Sequence, residues 1–273
     1  MQKKMRKRFI RTGCLILLLS LMSILPLAMA EAISISVSPI RVEHNVPAGG
    51  NLTEAISVLN DDISPVHIRV KIEDWSLTRE GAVSFAPGGS QPFSAAPWIR
   101  VNPREFDLQP GQSQSARYAL TVPKDANPGG YRAAIIFATV PRPTPGEKQK
   151  RVMFEGRIAT ILYETVGRPA PSGEITGLSM EPNKEGKPEF LISFKNTGSV
   201  HLRTRGEIII RDKAGKEIGK APLPDLPILP RSDRDFKVAW EAKLPAGEYV
   251  AELLMDIGRK ELLAGERKFS IRE

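Results

Sequence analysis

Three histidines, His44, His67 and His201, are the side chains best suited to metal or proton chemistry, and they stand far apart in the chain. A zinc site draws its His and Cys ligands from short, recurring spacings. None is present, so each histidine reads as a surface or strand residue. Asp61-Asp62 is an acidic pair, but calcium takes six or more oxygens, and a solvated turn accounts for two aspartates. The chain holds no G-x-S-x-G elbow, no phosphate-cradling glycine loop and no H-E-x-x-H helix. Asn51-Leu52-Thr53 matches a glycosylation sequon, which is uninformative if the host is bacterial. No catalytic constellation, cofactor or metal is expected. The chemistry left to this chain is non-covalent, carried by a surface and by backbone hydrogen bonds.

The charge distribution narrows the partners. The chain of 273 residues has a formal net charge of +8. Lys3, Lys4, Arg6, Lys7, Arg8 and Arg11 lie in residues 1–30, which contain no acid. Taking those six from 39 basic residues leaves 33 against 31 acidic ones, so the body is almost neutral. It lacks the basic stripe interleaved with aromatics that nucleic acid requires. The leader has a basic start, an apolar run through Leu27 and a small-x-small site, Ala28-Met29-Ala30. A signal peptide over residues 1–30 is expected, cleaved after Ala30, so the membrane is met only in transit. Cys14, the sole cysteine, precedes the apolar run and leaves with the leader. The exported protein then has no disulfide, and packing alone must stabilise it.

The elements that must position any surface are strands. Ile33, Ile35 and Val37 alternate with small polar residues, the period of a half-buried strand. Pro39 interrupts them, as at an edge strand or bulge, and Arg41-Val42 resumes. Thr53 to Leu59 is the next strand, with Ala55, Ser57 and Leu59 on one face. Val66, Ile68, Val70 and Ile72 alternate strictly towards Trp75, a ring large enough to fill the gap between two sheets. Phe106 to Val140 then repeats further on. Pro110-Gly111, an alternating run and Gly129-Gly130-Tyr131 correspond to Pro230-Arg231, a second alternating run and Gly247-Glu248-Tyr249. The spacings are 21 residues from Pro110 to Tyr131 and 19 from Pro230 to Tyr249. Such a repeat points to one sandwich built twice.

The full reading is all-β, two antiparallel β-sandwiches in tandem. One covers residues 31–167, a proline-stiffened linker 168–173, the other 174–273. In the second, strands are expected at Ile175 to Met180, Glu189 to Phe194, Gly206 to Arg211, Phe236 to Trp240, Tyr249 to Met255 and Arg267 to Ile271. Pro141 to Arg151 carries three prolines and clustered charge, and reads as the tip of a long hairpin between Ala133 to Val140 and Val152 to Val166. Sheet margins accept foreign strands through unpaired backbone groups. The best candidates are Pro39 to Val42 and Val152 to Val166.

Those two stretches carry a resemblance. Arg41-Val42, Ile56-Ser57-Val58-Leu59-Asn60-Asp61, Phe106-Asp107-Leu108-Gln109-Pro110-Gly111, the loop at 141–151 and Ile161-Leu162-Tyr163 before Arg168-Pro169 resemble the PapD-like periplasmic pilus-assembly chaperones. That family has two Ig-like domains. The strand after its long loop donates alternate apolar residues to an incomplete pilin, and two basic residues in the interdomain cleft anchor the pilin C-terminal carboxylate. The resemblance implies strand addition along Val152 to Tyr163 and a partner-binding set of Arg41, Val152, Met153, Phe154, Arg157, Ile158 and Thr160. Arg41 falls at the first basic anchor. The second falls near Thr160, which has no charge; Arg157, three residues away, lies on the opposite strand face. Val152, Phe154, Ile158 and Leu162 share the face that the domain's own core needs. Met153, Glu155, Arg157, Ala159 and Ile161 share the other.

Leu108-x-Pro-Gly, Gly-Gly-Tyr at 129–131, Asn196-Thr197-Gly198 and Gly247-Glu248-Tyr249 are also similar to Ig-like envelope proteins of the WxL-interacting kind. Those carry a C-terminal membrane segment, and this chain ends at Arg272-Glu273. The reading is therefore an exported, non-enzymatic, chaperone-like protein of a bacterial periplasm or cell envelope. Its expected partners are secreted or envelope subunits of pilin type, with no nucleic acid. The alternative is a structural or adhesive surface module without a chaperone cycle.

Overall fold

A computed structural model describes residues 35–140 and 155–272. The first sandwich contains β1 (Ile35–Ser38), β2 (Arg41–Asn45), β3 (Asn51–Asn60), β4 (Val66–Leu77), β5 (Val83–Pro87), β6 (Ile99–Asn102), β7 (Glu105–Leu108), β8 (Ser113–Thr121), β9 (Gly129–Thr139) and β10 (Arg157–Val166). The second contains β11 (Gly173–Pro182), β12 (Pro188–Asn196), β13 (Leu202–Arg203), β14 (Arg205–Asp212), β15 (Glu217–Pro222), β16 (Pro227–Ile228), β17 (Asp233–Ala239), β18 (Gly247–Asp256) and β19 (Leu263–Ile271). Among the described residues there is no α-helix, only a 3-10 turn at Ala96–Trp98.

In the first sandwich one sheet has the order β1-β3-β8-β6 and the other β2-β10-β9-β4-β5, with β7 also on β4. Period-2 alternation sends one face of each strand inward. Ile56, Val58, Ile99, Val101, Tyr118 and Leu120 of the first sheet meet Ile68, Val70, Ile135, Phe137, Leu162 and Val166 of the second. Ala55, Ser57 and Leu59 are therefore on the outer face of β3. The second sandwich stacks β11-β12-β17 on β15-β14-β18-β19. Phe190, Ile192, Phe194 and Phe236 pack there with Ile208, Ile210, Leu253 and Met255. Truncating such a buried phenylalanine to alanine costs about 3–5 kcal/mol. The molecule is thus two Ig-like β-sandwiches in tandem.

Two expectations change. Trp75 does not fill the gap between the sheets of the first sandwich. It lies three residues beyond Ile72, an odd offset, so it faces outward. There it is buried with Ala134, Ile136, Tyr163 and Leu229, the last from the second sandwich. Gly129-Gly130 opens β9. The second sandwich comes so close that a Cβ on Gly130 would stand 2.9 Å from the His201 backbone nitrogen. β15 went unread because Glu217 to Pro222 offers Lys220, Gly219 and a proline where a strand pattern would show apolar alternation.

Pro39 does what the sequence predicts. It has no N–H for a ladder, and across it the chain changes sheet. β1 pairs antiparallel with β3, and β2 pairs parallel with β10.

Candidate functional site

β9 and β10 form a long antiparallel hairpin, registered from Arg157 opposite Ala138 to Val166 opposite Gly129. Thr139 N–H donates to Gly156 O at 2.9 Å, and Gly156 N–H to Thr139 Oγ1 at 2.8 Å. One side of β10 is therefore satisfied along its length. The other side is not uniform. β2 covers Ile161 to Thr165, with Arg41 opposite Ile161 and Asn45 opposite Thr165. This cover begins where Ile161 N–H donates to Ile40 O at 2.9 Å.

Alternate residues of a strand aim their backbone groups at the same edge. Arg157 and Ala159 therefore aim theirs at the side Ile161 uses. Among the described residues no strand is registered against them there. This corrects the expected binding stretch. Ile161 to Tyr163 is sealed by the chain's own β2, while Arg157 to Ala159 has no strand registered on that side among the described residues. The β10-facing side of β2 is likewise taken, leaving only its outer side as a margin.

The proposed site residues divide by face. Ile158 packs inward against the first core. Thr160 is fully buried, and its hydroxyl donates to Pro39 O at 2.7 Å. It fastens the sheet switch and presents nothing outward. Arg157 faces out, as the offset of three required. Its Nη2 lies 2.8 Å from Glu73 Oε2 and its guanidinium 5.8 Å from the centre of the Phe85 ring. Ala159 and Ile161 border the outer cluster of Trp75, Ile136 and Tyr163. Val152, Met153 and Phe154 lie outside the described residues.

Arg41 stands on the outer face of β2, half exposed, with Nε 3.4 Å from Glu43 Oε1. A second arginine, from the second sandwich, reaches the same carboxylate. Arg203 Nη1 is 3.9 Å from the same Glu43 oxygen, so one carboxylate lies between two arginines. Sequence reasoning missed Arg203, because nothing local marks a residue that only the fold delivers. Asp225 holds Arg203 in a fork, at 2.7 Å to Nε and 3.0 Å to Nη2. That pairing raises the guanidinium and holds the Asp225 carboxyl below its usual range. Behind the pair, burial pushes the Tyr163 phenol up to about 12 and the His201 imidazole down. The two rings lie 4.5 Å apart.

Among the described residues, no group of three or more His, Cys, Asp or Glu is placed to hold a metal. No helix there is long and apolar enough to cross a membrane.

No family model and no curated protein matches this chain. Solved structures do. The chain resembles chaperones of fimbria assembly. The class 5 fimbriae chaperone CfaA is 13% identical over 86% of this chain and 99% of its own, with a TM-score of 0.48. The E. coli chaperone DraB is 18% identical over 88% of this chain and 96% of its own, with a TM-score of 0.42. A chain of the CsuC-CsuE chaperone-tip adhesion subunit pre-assembly complex, from archaic chaperone-usher Csu pili of Acinetobacter baumannii, is 13% identical. It covers 85% of this chain and 97% of its own, with a TM-score of 0.44.

Proposed function

We propose that this chain is an exported, non-enzymatic, chaperone-like protein that binds an envelope or fimbrial subunit by strand addition to β10. The observation that carries the reading is the half-open margin. β9 satisfies one side of β10 throughout, and among the described residues no strand is registered on the other side ahead of Ile161. An incoming strand gains backbone hydrogen bonds there, and alternate side chains set selectivity. Arg41, at the end of that margin, pairs with a carboxylate of the partner. Arg203 takes the role of second cation that Thr160 cannot fill. Outer-face contacts come from Arg157, Ala159 and Ile161.

The test is co-purification from the native envelope, read by mass spectrometry, with wild type, Ala159→Pro and Arg41→Ala. Proline at residue 159 removes an amide that β9 does not use, so the fold persists and partner recovery falls. Arg41→Ala recovers less than wild type. Equal recovery by all three proteins ends the reading; equal recovery by Arg41→Ala alone ends the carboxylate anchor.

A further inference from the structure

On the side away from β9, β4 is covered in two pieces. β7 pairs with it over Val66 to Arg69, and β5 over Glu73 to Leu77. Between them, among the described residues, Val70 to Ile72 have no strand registered on that side. The Val70 N–H donates instead to Arg104 O, at 2.7 Å. On the facing sheet β6 is the last strand. The two sheets part there around a cavity of about 670 Å³, a volume typical of small-molecule sites. Its floor is core: Val70, Ile99 and Val101, with half-buried Ile72 and with Ala96 of the 3-10 turn. Gly88 closes one end, where a Cβ would stand 2.9 Å from both Ala96 Cβ and Ile72 O. Phe85, Pro87 and Pro97, all exposed, form the lip.

The rim carries charge of one sign. Lys71, Arg100 and Arg104 line the cavity and are exposed. Arg100 Nη1 donates to two backbone oxygens, Pro97 O at 3.1 Å and Ile99 O at 2.9 Å, which keeps its guanidinium beside the mouth without cancelling its charge. Among the described residues, Lys71 and Arg104 meet no carboxylate. The one carboxylate that lines the cavity, Glu73, is already paired with Arg157 at 2.8 Å. Asp74, the next acid along β4, is buried and accepts from the Ser94 hydroxyl and the Gln91 N–H. An apolar floor under a cationic rim selects a ligand with an apolar body and one anionic end. A small inorganic anion covers none of the floor and gains only screened surface charge. An uncharged chain leaves the three cations unused.

We propose that this cavity binds an anionic amphiphile, a fatty-acid carboxylate. Its chain lies against Val70, Ile72, Ile99 and Val101, and its carboxylate sits among Lys71, Arg100 and Arg104. Burial of the chain supplies most of the affinity, because apolar area leaves water on both sides of the contact. The exposed cations contribute less, and salt weakens their share; what they set is the preference for a negative end. The site lies between β5 and β6 and needs no incoming strand, so it goes beyond the proposed strand addition and does not depend on it.

The test is a methyl NMR titration with decanoate, kept below its micelle concentration. Decanoate is expected to move the methyl resonances of Val70, Ile72, Ile99 and Val101, and to leave those of Ile208 and Leu253 in the second sandwich in place. Decanol and decyltrimethylammonium have the same chain without the negative end, and are expected to bind about tenfold or more weakly. Butyrate has the charge but little chain, and should move nothing. Lys71→Glu combined with Arg104→Glu changes two exposed side chains, and is expected to lower decanoate affinity about tenfold or more while decanol binds as before. Shifts spread over both sandwiches, equal affinity for decanoate and decanol, or decanoate affinity unmoved by the charge reversal overturns the proposal. If that variant does not fold, the comparison of the four probes on wild type decides. No partner protein enters these measurements, so they fail or succeed apart from partner recovery.

Discussion

Asn60 and Asn196 make the same hydrogen bonds in the two sandwiches. Asn60 Nδ2 donates to Ser64 O at 2.9 Å and Leu108 O at 3.1 Å, and its Oδ1 accepts the Asp62 N–H at 2.9 Å. Asn196 Nδ2 donates to Val200 O at 2.8 Å and Ile228 O at 3.2 Å, and its Oδ1 accepts the Gly198 N–H at 2.9 Å. Both are fully buried. Each ties the turn after its own strand to the turn that opens the repeated motif. Asn60→Ala and Asn196→Ala each strand buried carbonyls and are expected to cost about 2–3 kcal/mol. Urea unfolding, with a tryptophan or amide probe in each sandwich, reads the loss.

The repeat extends to backbone conformation. Gly111 and Arg231 occupy matching turn positions with φ of 71° and 56°. Glycine takes that region without penalty; arginine is strained there. Arg231→Gly is expected to stabilise the protein by about 0.5–1 kcal/mol. Gly111→Arg should cost about 1 kcal/mol, and the cost is conformational, since a Cβ there meets nothing within 4 Å. Opposite signs from reciprocal substitutions in thermal melts check the claim.

Much of this was legible in the chain. The alternation of Val66, Ile68, Val70 and Ile72 gives β4, and Pro110 to Tyr131 aligned with Pro230 to Tyr249 gives the doubled sandwich. Tyr131 and Tyr249 even donate to carbonyls four residues upstream, Asn127 O and Pro245 O. What periodicity cannot carry is which outer face is covered. Trp75 and Ile161 alternate like exposed residues, yet the other sandwich and β2 bury or seal them. Arg203 was invisible for the same reason: its meeting with Glu43 depends on how the two sandwiches pack. Within the candidate site, parity put Arg157 outward and Ile158 inward, but no local pattern could say that β2 stops at Ile161.

His201 gives the molecule a pH dependence on the acid side. Its ring is half-buried beside Tyr163, its Nδ1 is shut away from solvent, and burial pushes its pKa down. The folded state holds it neutral, while the unfolded state takes up a proton near the ordinary value. Its contribution is present above about pH 6.5 and is lost as pH falls below that. His201→Phe is expected to flatten the loss of stability between about pH 7 and about pH 5. Denaturant midpoints at the two pH values measure it, and an unchanged acid slope in the variant refutes it.

The contact between the sandwiches turns on Leu229. Among the described residues it is the apolar side chain of the second sandwich that enters the buried cluster of Trp75, Ala134, Ile136 and Tyr163. Around it, Gly130 N–H donates to Ser199 O at 2.6 Å, and Asp235 N–H to Arg79 O at 2.7 Å. Arg79 Nε also meets Asp235 Oδ2 at 2.7 Å, but on exposed surface. An exposed ion pair is screened and contributes little, whereas the buried leucine leaves a cavity when cut back. Leu229→Ala is expected to cost about 2–3 kcal/mol, and Arg79→Ala distinctly less. Trp75→Ala combined with Leu229→Ala should cost less than the sum of the two, by about 0.5 kcal/mol or more, because each removes the other's partner. If the leucine is what makes the sandwiches unfold together, Leu229→Ala also splits one urea transition into two. A single transition with additive costs would mean that the flanking backbone bonds hold the pair.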